Sequence, residues 1–130
     1  MAHLKVRVDK LLLVGQARLE TISTDTQTYK LYYQLSSAPA TGHAIIGKGE
    51  AASIALAKNY DGIVASNNLR DIRIYIKGFG LRHITTGAIL REALERGYIT
   101  EVQGNKIWTS MLAKRRKLGA ASFTEYIQSE

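Results

Sequence analysis

Four side chains with the chemistry to bind a cation or assist a hydrolysis stand in one stretch of the chain. They are Glu50, Asn67, Asn68 and Asp71, within GKGEAASIALAKNYDGIVASNNLRDI from Gly47 to Ile72. An acidic residue opens a helix, a short apolar run follows, and a polar turn closes the segment. That order carries the four side chains towards one edge of a sheet, where an open α/β fold binds its ligand. A hydrolytic Mg²⁺ site needs hard oxygen ligands, mostly charged. Two of the natural places here carry asparagine, which offers a carbonyl oxygen but no negative charge. Each residue also has a plain structural reading. Glu50 suits the first turn of a helix, where the dipole favours a carboxylate. Asn67 and Asn68 are turn formers, and Asp71 could pair with Arg70 or Arg73.

The elements that must position these residues follow from periodicity. Leu4 to Val14 spaces its apolar side chains as a short amphipathic helix does, although Val6 and Val8 also alternate as in a strand. Arg18 to Ile22 alternates in the manner of a short strand. Ser23, Thr24 and Asp25 offer N-cap chemistry for a helix through TQTYKLYYQLSS. Residues 38–49, with the only proline at Pro39, read as an internal loop. Small side chains from Ala51 to Ala57 predict a tightly packed helix. Gly62 to Ser66 predicts a buried parallel strand. Leu69 to Lys77 predicts a helix stopped by Gly78 or Gly80, and Leu81 to Ile84 a further strand. Thr85 or Thr86 caps the next helix, which Gly97 stops. A helix over Val102 to Lys117, interrupted or started at Gly104, precedes a terminal helical turn after Ser122. Strands alternating with helices predict an α/β fold, a short parallel sheet flanked by helices in three layers.

At 130 residues the chain is expected to form one domain. The 45% hydrophobic and 22% charged content is that of a globular protein rather than a disordered one. With no cysteine, disulfides and thiolate zinc sites are excluded, and a cytoplasmic setting is expected. No apolar run approaches the roughly 20 residues needed to span a bilayer, so no membrane partner is expected. Eighteen Lys and Arg against eleven Asp and Glu give a formal charge of +7, which favours phosphate-rich partners.

GKGEAASIALAKNYDGIVASNNLRDI followed by GLRHITTGAILREALERGYI resembles the C-terminal half of a PIN domain, the nuclease fold of many bacterial toxin ribonucleases. The tail WTSMLAKRRKLGAASFTEYI is similar to the last helices of some of these proteins. Glu50 matches the acidic metal ligand that begins the family's helix, and Ser66, Asn68 and Asp71 match the turn after its strand. The resemblance covers the chain from Gly47 onward. It implies catalytic carboxylates at Glu50 and Asp71, and a Mg²⁺ or Mn²⁺ held by Glu50, Asn68 and Asp71. The family opens with a strand ending in aspartate. Here the start offers only VRVDKLLLVG, where Asp9 lacks the polar partners of that motif. By this likeness residues 1–130 form a single PIN-like domain, truncated or degenerate, without the first strand.

Metal-assisted phosphodiester cleavage relies on clustered carboxylates to hold one or two divalent ions. With Glu50 and Asp71 alone a cation keeps most of its water, so the expectation is a nucleic-acid-associated protein with weak or absent ribonuclease activity. Lys48, Arg70 and Arg82 near the sheet edge, and the run Lys114, Arg115, Arg116 and Lys117, are the candidate contacts to RNA phosphates. The run also suits a solvated helix end. Tyr29, Tyr32 and Tyr33 could stack bases or pack a core. Trp108 with Met111 and Leu112 reads as packing, and His3, His43 and His83 show no metal-ligand spacing. Two other readings stay open: a self-associating homo-oligomeric module, and a protein that binds an antitoxin-like partner without nuclease activity.

Overall fold

The computed structural model describes residues 2–39 and 42–129. In chain order it comprises α1 (Ala2–Leu13), α2 (Gln27–Ser37), α3 (Lys48–Tyr60), β1 (Ile63–Ala65), α4 (Leu69–Gly78), β2 (Arg82–Ile84), α5 (Thr86–Glu95), α6 (Glu101–Ala113) and α7 (Phe123–Gln128). The fold is thus mixed helix and sheet, with seven helices and two parallel strands among the described residues. Ile63 pairs with Arg82, Val64 with His83 and Ala65 with Ile84. Ser66 N–H donates to Ile84 O at 3.0 Å and carries the ladder one residue past β1.

Helix α3 forms where the small residues predict it. Ala51, Ile54, Ala55 and Ala57 are buried, and the missing side-chain bulk lets α3 lie close to α2 and β1. Its end is abrupt. Asp61 takes a left-handed backbone at φ 52° and Gly62 N–H returns to Ala57 O at 2.8 Å, so β1 starts at once. The main core gathers Leu35, Ile46, Ala51, Ile54, Ala57, Val64, Ile72 and Tyr75, with Tyr32 and Phe79 packed against it. The Tyr29 ring lies 5.9 Å from that of Tyr32 and 6.4 Å from that of Tyr33, centroid to centroid. Tyr32 of this trio packs against the core.

A second buried cluster joins the last three helices. Trp108 and Phe123 are fully buried, at 0% exposure each. The Trp108 ring lies 5.9 Å from Phe123 and 5.5 Å from Tyr126, and its indole N–H donates to Ala120 O at 2.9 Å. Two glycines make this possible. A Cβ on Gly104 would stand 2.3 Å from Phe123 Cδ2, and one on Gly87 2.5 Å from Tyr126 Cζ. Gly104 therefore lies inside α6 as a seat for the Phe123 ring. It neither starts nor interrupts the helix, contrary to the sequence expectation. Asn105 locks the same junction: it accepts from Thr124 N–H at 3.1 Å and donates to Thr124 Oγ1 at 2.8 Å.

Several boundaries differ from expectation for local reasons. Leu4 to Val14 adopts the helical alternative. Asp9 is tied to Lys5 Nζ at 2.8 Å on the surface of α1, four residues apart. Residues 18–22 form no strand. No second strand pairs with them among the described residues, and Leu19 is 82% exposed, so neither a ladder nor burial holds them. The cap of α2 is Thr26, whose hydroxyl accepts from Tyr29 N–H, rather than Ser23, Thr24 or Asp25. Ala40 and Thr41 of the expected internal loop lie outside the described residues. Thr85 caps α5 and Gly97, at φ 76°, follows its end.

Helix α6 stops at Ala113, short of the expected Lys117. Arg115 N–H donates to Leu112 O at 2.9 Å and Arg116 N–H to Met111 O at 3.1 Å, the paired bonds of a Schellman ending. The position that normally favours glycine holds Arg115, at φ 60°. A left-handed backbone costs an L-residue about 1–2 kcal/mol.

Candidate functional site

Three of the four predicted side chains meet at the carboxyl end of the sheet. Glu50 sits in the first turn of α3, Asn68 is the N-cap of α4, and Asp71 lies in the first turn of α4. Asn68 joins the other two. Its amide nitrogen donates to Glu50 Oε2 at 3.0 Å and to Asp71 Oδ2 at 2.8 Å. One neutral NH₂ thus satisfies two carboxylates, and both of its hydrogens are used. Asp71 does not pair with Arg70 or Arg73; it turns to Asn68 instead. Ser66 Oγ accepts from Asn68 N–H at 3.1 Å and closes the turn that presents the amide.

Glu50 is half-buried, whereas Asp71 is exposed. The other oxygen of Glu50, Oε1, folds back over the start of α3, so that a Cβ added at Gly47 would be 3.0 Å from it. With Gly47 giving no side-chain cap, this carboxylate supplies negative charge at the positive end of α3.

Asn67 belongs to a different construction. It accepts from Thr86 N–H at 2.8 Å and donates to Thr86 Oγ1 at 2.9 Å. These bonds tie the end of β1 to the first turn of α5. Donors of this kind are costly to leave unmade once buried, so Asn67 is accounted for structurally. Asn105 and Thr124 repeat the same reciprocal bond across the α6–α7 junction.

The predicted cations divide into three places. Lys48 opens α3 two residues before Glu50, and Arg70 precedes Asp71 on α4. Both are exposed, and neither makes an ion pair among the described residues. Arg82 lies at the other end of the sheet, since its strand runs parallel to β1 and it pairs with Ile63. Its guanidinium donates to Asp61 O at 2.8 Å. Arg82 is therefore not part of the Glu50 edge, contrary to the sequence expectation. Lys114, Arg115, Arg116 and Lys117 are all exposed and follow α6, in neither of the elements that carry Glu50 and Asp71.

Among the described residues no group of three or more His, Cys, Asp or Glu side chains converges as metal ligands do. His83 lies in β2 with its Nε2 buried and without a hydrogen-bond partner. No helix of the described residues is long and apolar enough to cross a membrane.

Sequence reasoning missed one surface feature. The outer face of α6 forms a shallow trough, apolar at its floor and basic at its rims. Lys106, Ile107, Ser110, Met111, Lys114 and Arg116 line about 340 Å³ of it. The signal was present in the sequence, since Lys106 and Lys114 are two helical turns apart with Ser110 between them. Only the left-handed turn at Arg115 brings Arg116 to the same rim.

No protein-family model, no curated protein and no solved structure matches the chain.

Proposed function

We propose that this is a nucleic-acid-associated protein of the three-layer, PIN-like α/β type, in which phosphodiester cleavage is weak or absent. The observation that carries this reading is the Asn68 amide between Glu50 and Asp71. In a metal-dependent nuclease the space between facing carboxylates belongs to a divalent ion. Here a neutral hydrogen-bond donor serves both. Asn68 turns its NH₂ to them, and an amide in this position adds no negative charge with which to hold a cation.

Mg²⁺ demands near-octahedral oxygen coordination and gives up its water reluctantly. Two carboxylates bridged by an amide do not fit that demand, so Mg²⁺ or Mn²⁺ is held weakly if at all. Association with nucleic acid is supported by charge: +7 overall, with Lys48 and Arg70 exposed beside the site and without an ion pair among the described residues. Electrostatic contact with phosphates gives affinity without reading sequence.

The test combines binding with cleavage. A labelled single-stranded RNA is expected to bind purified protein in a salt-sensitive manner and to survive incubation with Mn²⁺. Mn²⁺-dependent cleavage that disappears in Glu50→Gln would overturn the assignment, and so would a failure to bind RNA at low salt.

A second reading is favoured by the sheet itself. Two strands leave open edges, and Ile63 is 54% exposed although parallel sheets are ordinarily covered on both faces. An open edge can recruit a strand from a second copy or from an antitoxin-like partner protein. Sedimentation over a wide concentration range is expected to show a dimer under this reading. A strict monomer throughout counts against self-association.

A further inference from the structure

We infer that the trough along α6 is a binding track for single-stranded nucleic acid, seating bases on Ile107 and Met111 and phosphates on Lys106, Lys114 and Arg116. This inference rests on the proposed nucleic-acid association and gives it a place in the molecule.

Helix α6 has two faces with different tasks. Gly104 and Trp108 are buried against α7, and Asn105 is tied to Thr124. Away from that side Ile107 is 38% exposed and lines the trough beside Met111. A single exposed apolar side chain is ordinary, but Ile107 and Met111 together between cations form a surface that a ligand can use. Their neighbours say which kind. Lys106, Lys114 and Arg116 rim the 340 Å³ concavity and no acidic side chain lines it. The acids nearest in sequence are engaged elsewhere. Glu101 accepts from Thr124 Oγ1 at 2.7 Å, and Glu125 from Ala121 N–H at 3.3 Å. None of the three rim cations has an ion-pair partner among the described residues.

A second depression, lined by Val102, Asn105, Lys106, Thr109 and Ser110, lies across the Lys106–Ser110 ridge from the trough. From Lys106 to Lys114 the helix rises roughly 12 Å at ~1.5 Å per residue. That length matches about three to four stacked nucleotides at ~3.4 Å each along one strand. An anionic chain with flat apolar faces fits both features at once. Bases meet the apolar floor, where a thioether such as that of Met111 makes favourable contacts with aromatic rings. Phosphates meet the rim. A duplex, whose bases already stack on one another, presents only its phosphates.

The ending of α6 points the same way. Arg115 occupies a left-handed position that glycine would fill without strain. That turn carries Arg116 back beside Lys114, so that two of the four residues in the basic run face the trough. Backbone strain held at one place motivates a functional reading of that place.

The experiment uses fluorescence anisotropy of labelled oligouridine with the full chain, at several salt concentrations. Lys106→Gln, Lys114→Gln and Arg116→Gln combined should weaken binding roughly ten-fold or more at low salt. The same triple variant should flatten log Kd against log salt by roughly 2, at about 0.7 per lost phosphate contact. Ile107→Ser alone should weaken oligouridine about three-fold, the effect of losing roughly 25 Å² of apolar burial, and leave duplex RNA of equal length unchanged. All four positions are exposed, so the melting temperature serves as the folding control. RNA bound by the wild-type protein and unaffected by the triple variant overturns the trough while leaving nucleic-acid association standing. No binding by the wild-type protein overturns both. Displacement of RNA by polyglutamate at equal charge concentration overturns the nucleotide assignment in favour of an acidic protein partner.

Discussion

Trp108→Ala is expected to destabilise the protein by about 4 kcal/mol, within the roughly 3–5 kcal/mol range for truncating a buried aromatic residue. Trp108 is fully buried, and its ring touches both aromatic residues of α7. Removing it empties the junction of α6 and α7 and leaves Ala120 O without its indole donor. Surrounding groups have little freedom to collapse into the space. Gly104 and Gly87 already lie against the Phe123 and Tyr126 rings, so those rings cannot move inward without meeting backbone. Urea denaturation followed by circular dichroism checks the value. A loss below about 1 kcal/mol would mean that this cluster does not stabilise the folded state as described.

How far the sequence reveals this structure depends on whether a signal is local. Helix α3 and strand β1 are legible because small residues, a turn and an apolar run follow in order from Ala51 to Ser66. Thr85 and Gly97 mark the ends of α5 through cap chemistry that needs no tertiary information. The convergence of Glu50, Asn68 and Asp71 is likewise legible, since a helix start and a strand end of parallel topology share one edge. What the sequence cannot supply is direction and partner. Asp71 has two arginines close in the chain but turns to Asn68. Asn67 and Asn68 are adjacent and alike, but one clamps Thr86 and the other bridges carboxylates. Gly104 reads as a helix breaker until the Phe123 ring is seen against it. Arg82 falls at the wrong end of the sheet because β2 runs parallel to β1. The trough on α6 is legible only in the spacing of Lys106 and Lys114; its third rim cation, Arg116, depends on a left-handed arginine, a conformation that composition does not announce.

The second large effect concerns the site itself. Asn68→Asp replaces the bridging amide with a third carboxylate between Glu50 and Asp71. The donor that hydrogen-bonded both is lost, and three like charges come together at hydrogen-bond distance. Repulsion of this kind is relieved by protonation or by a cation, and hard oxygen ligands now suit Mg²⁺ or Mn²⁺. The variant is therefore expected to bind Mn²⁺ on the order of 100-fold more tightly than the wild-type protein, which corresponds to about 2.7 kcal/mol. Added Mn²⁺ should also raise the melting temperature of the variant more than that of the parent, because a ligand that binds only the folded state stabilises it.

A Mn²⁺ titration of the wild-type protein beside Asn68→Asp, read by electron paramagnetic resonance of the free ion, tests the central claim most directly. Weak binding by the wild-type protein and a large gain in the variant are predicted. Tight binding by the wild-type protein, abolished by Glu50→Gln and unchanged in Asn68→Asp, would contradict the account.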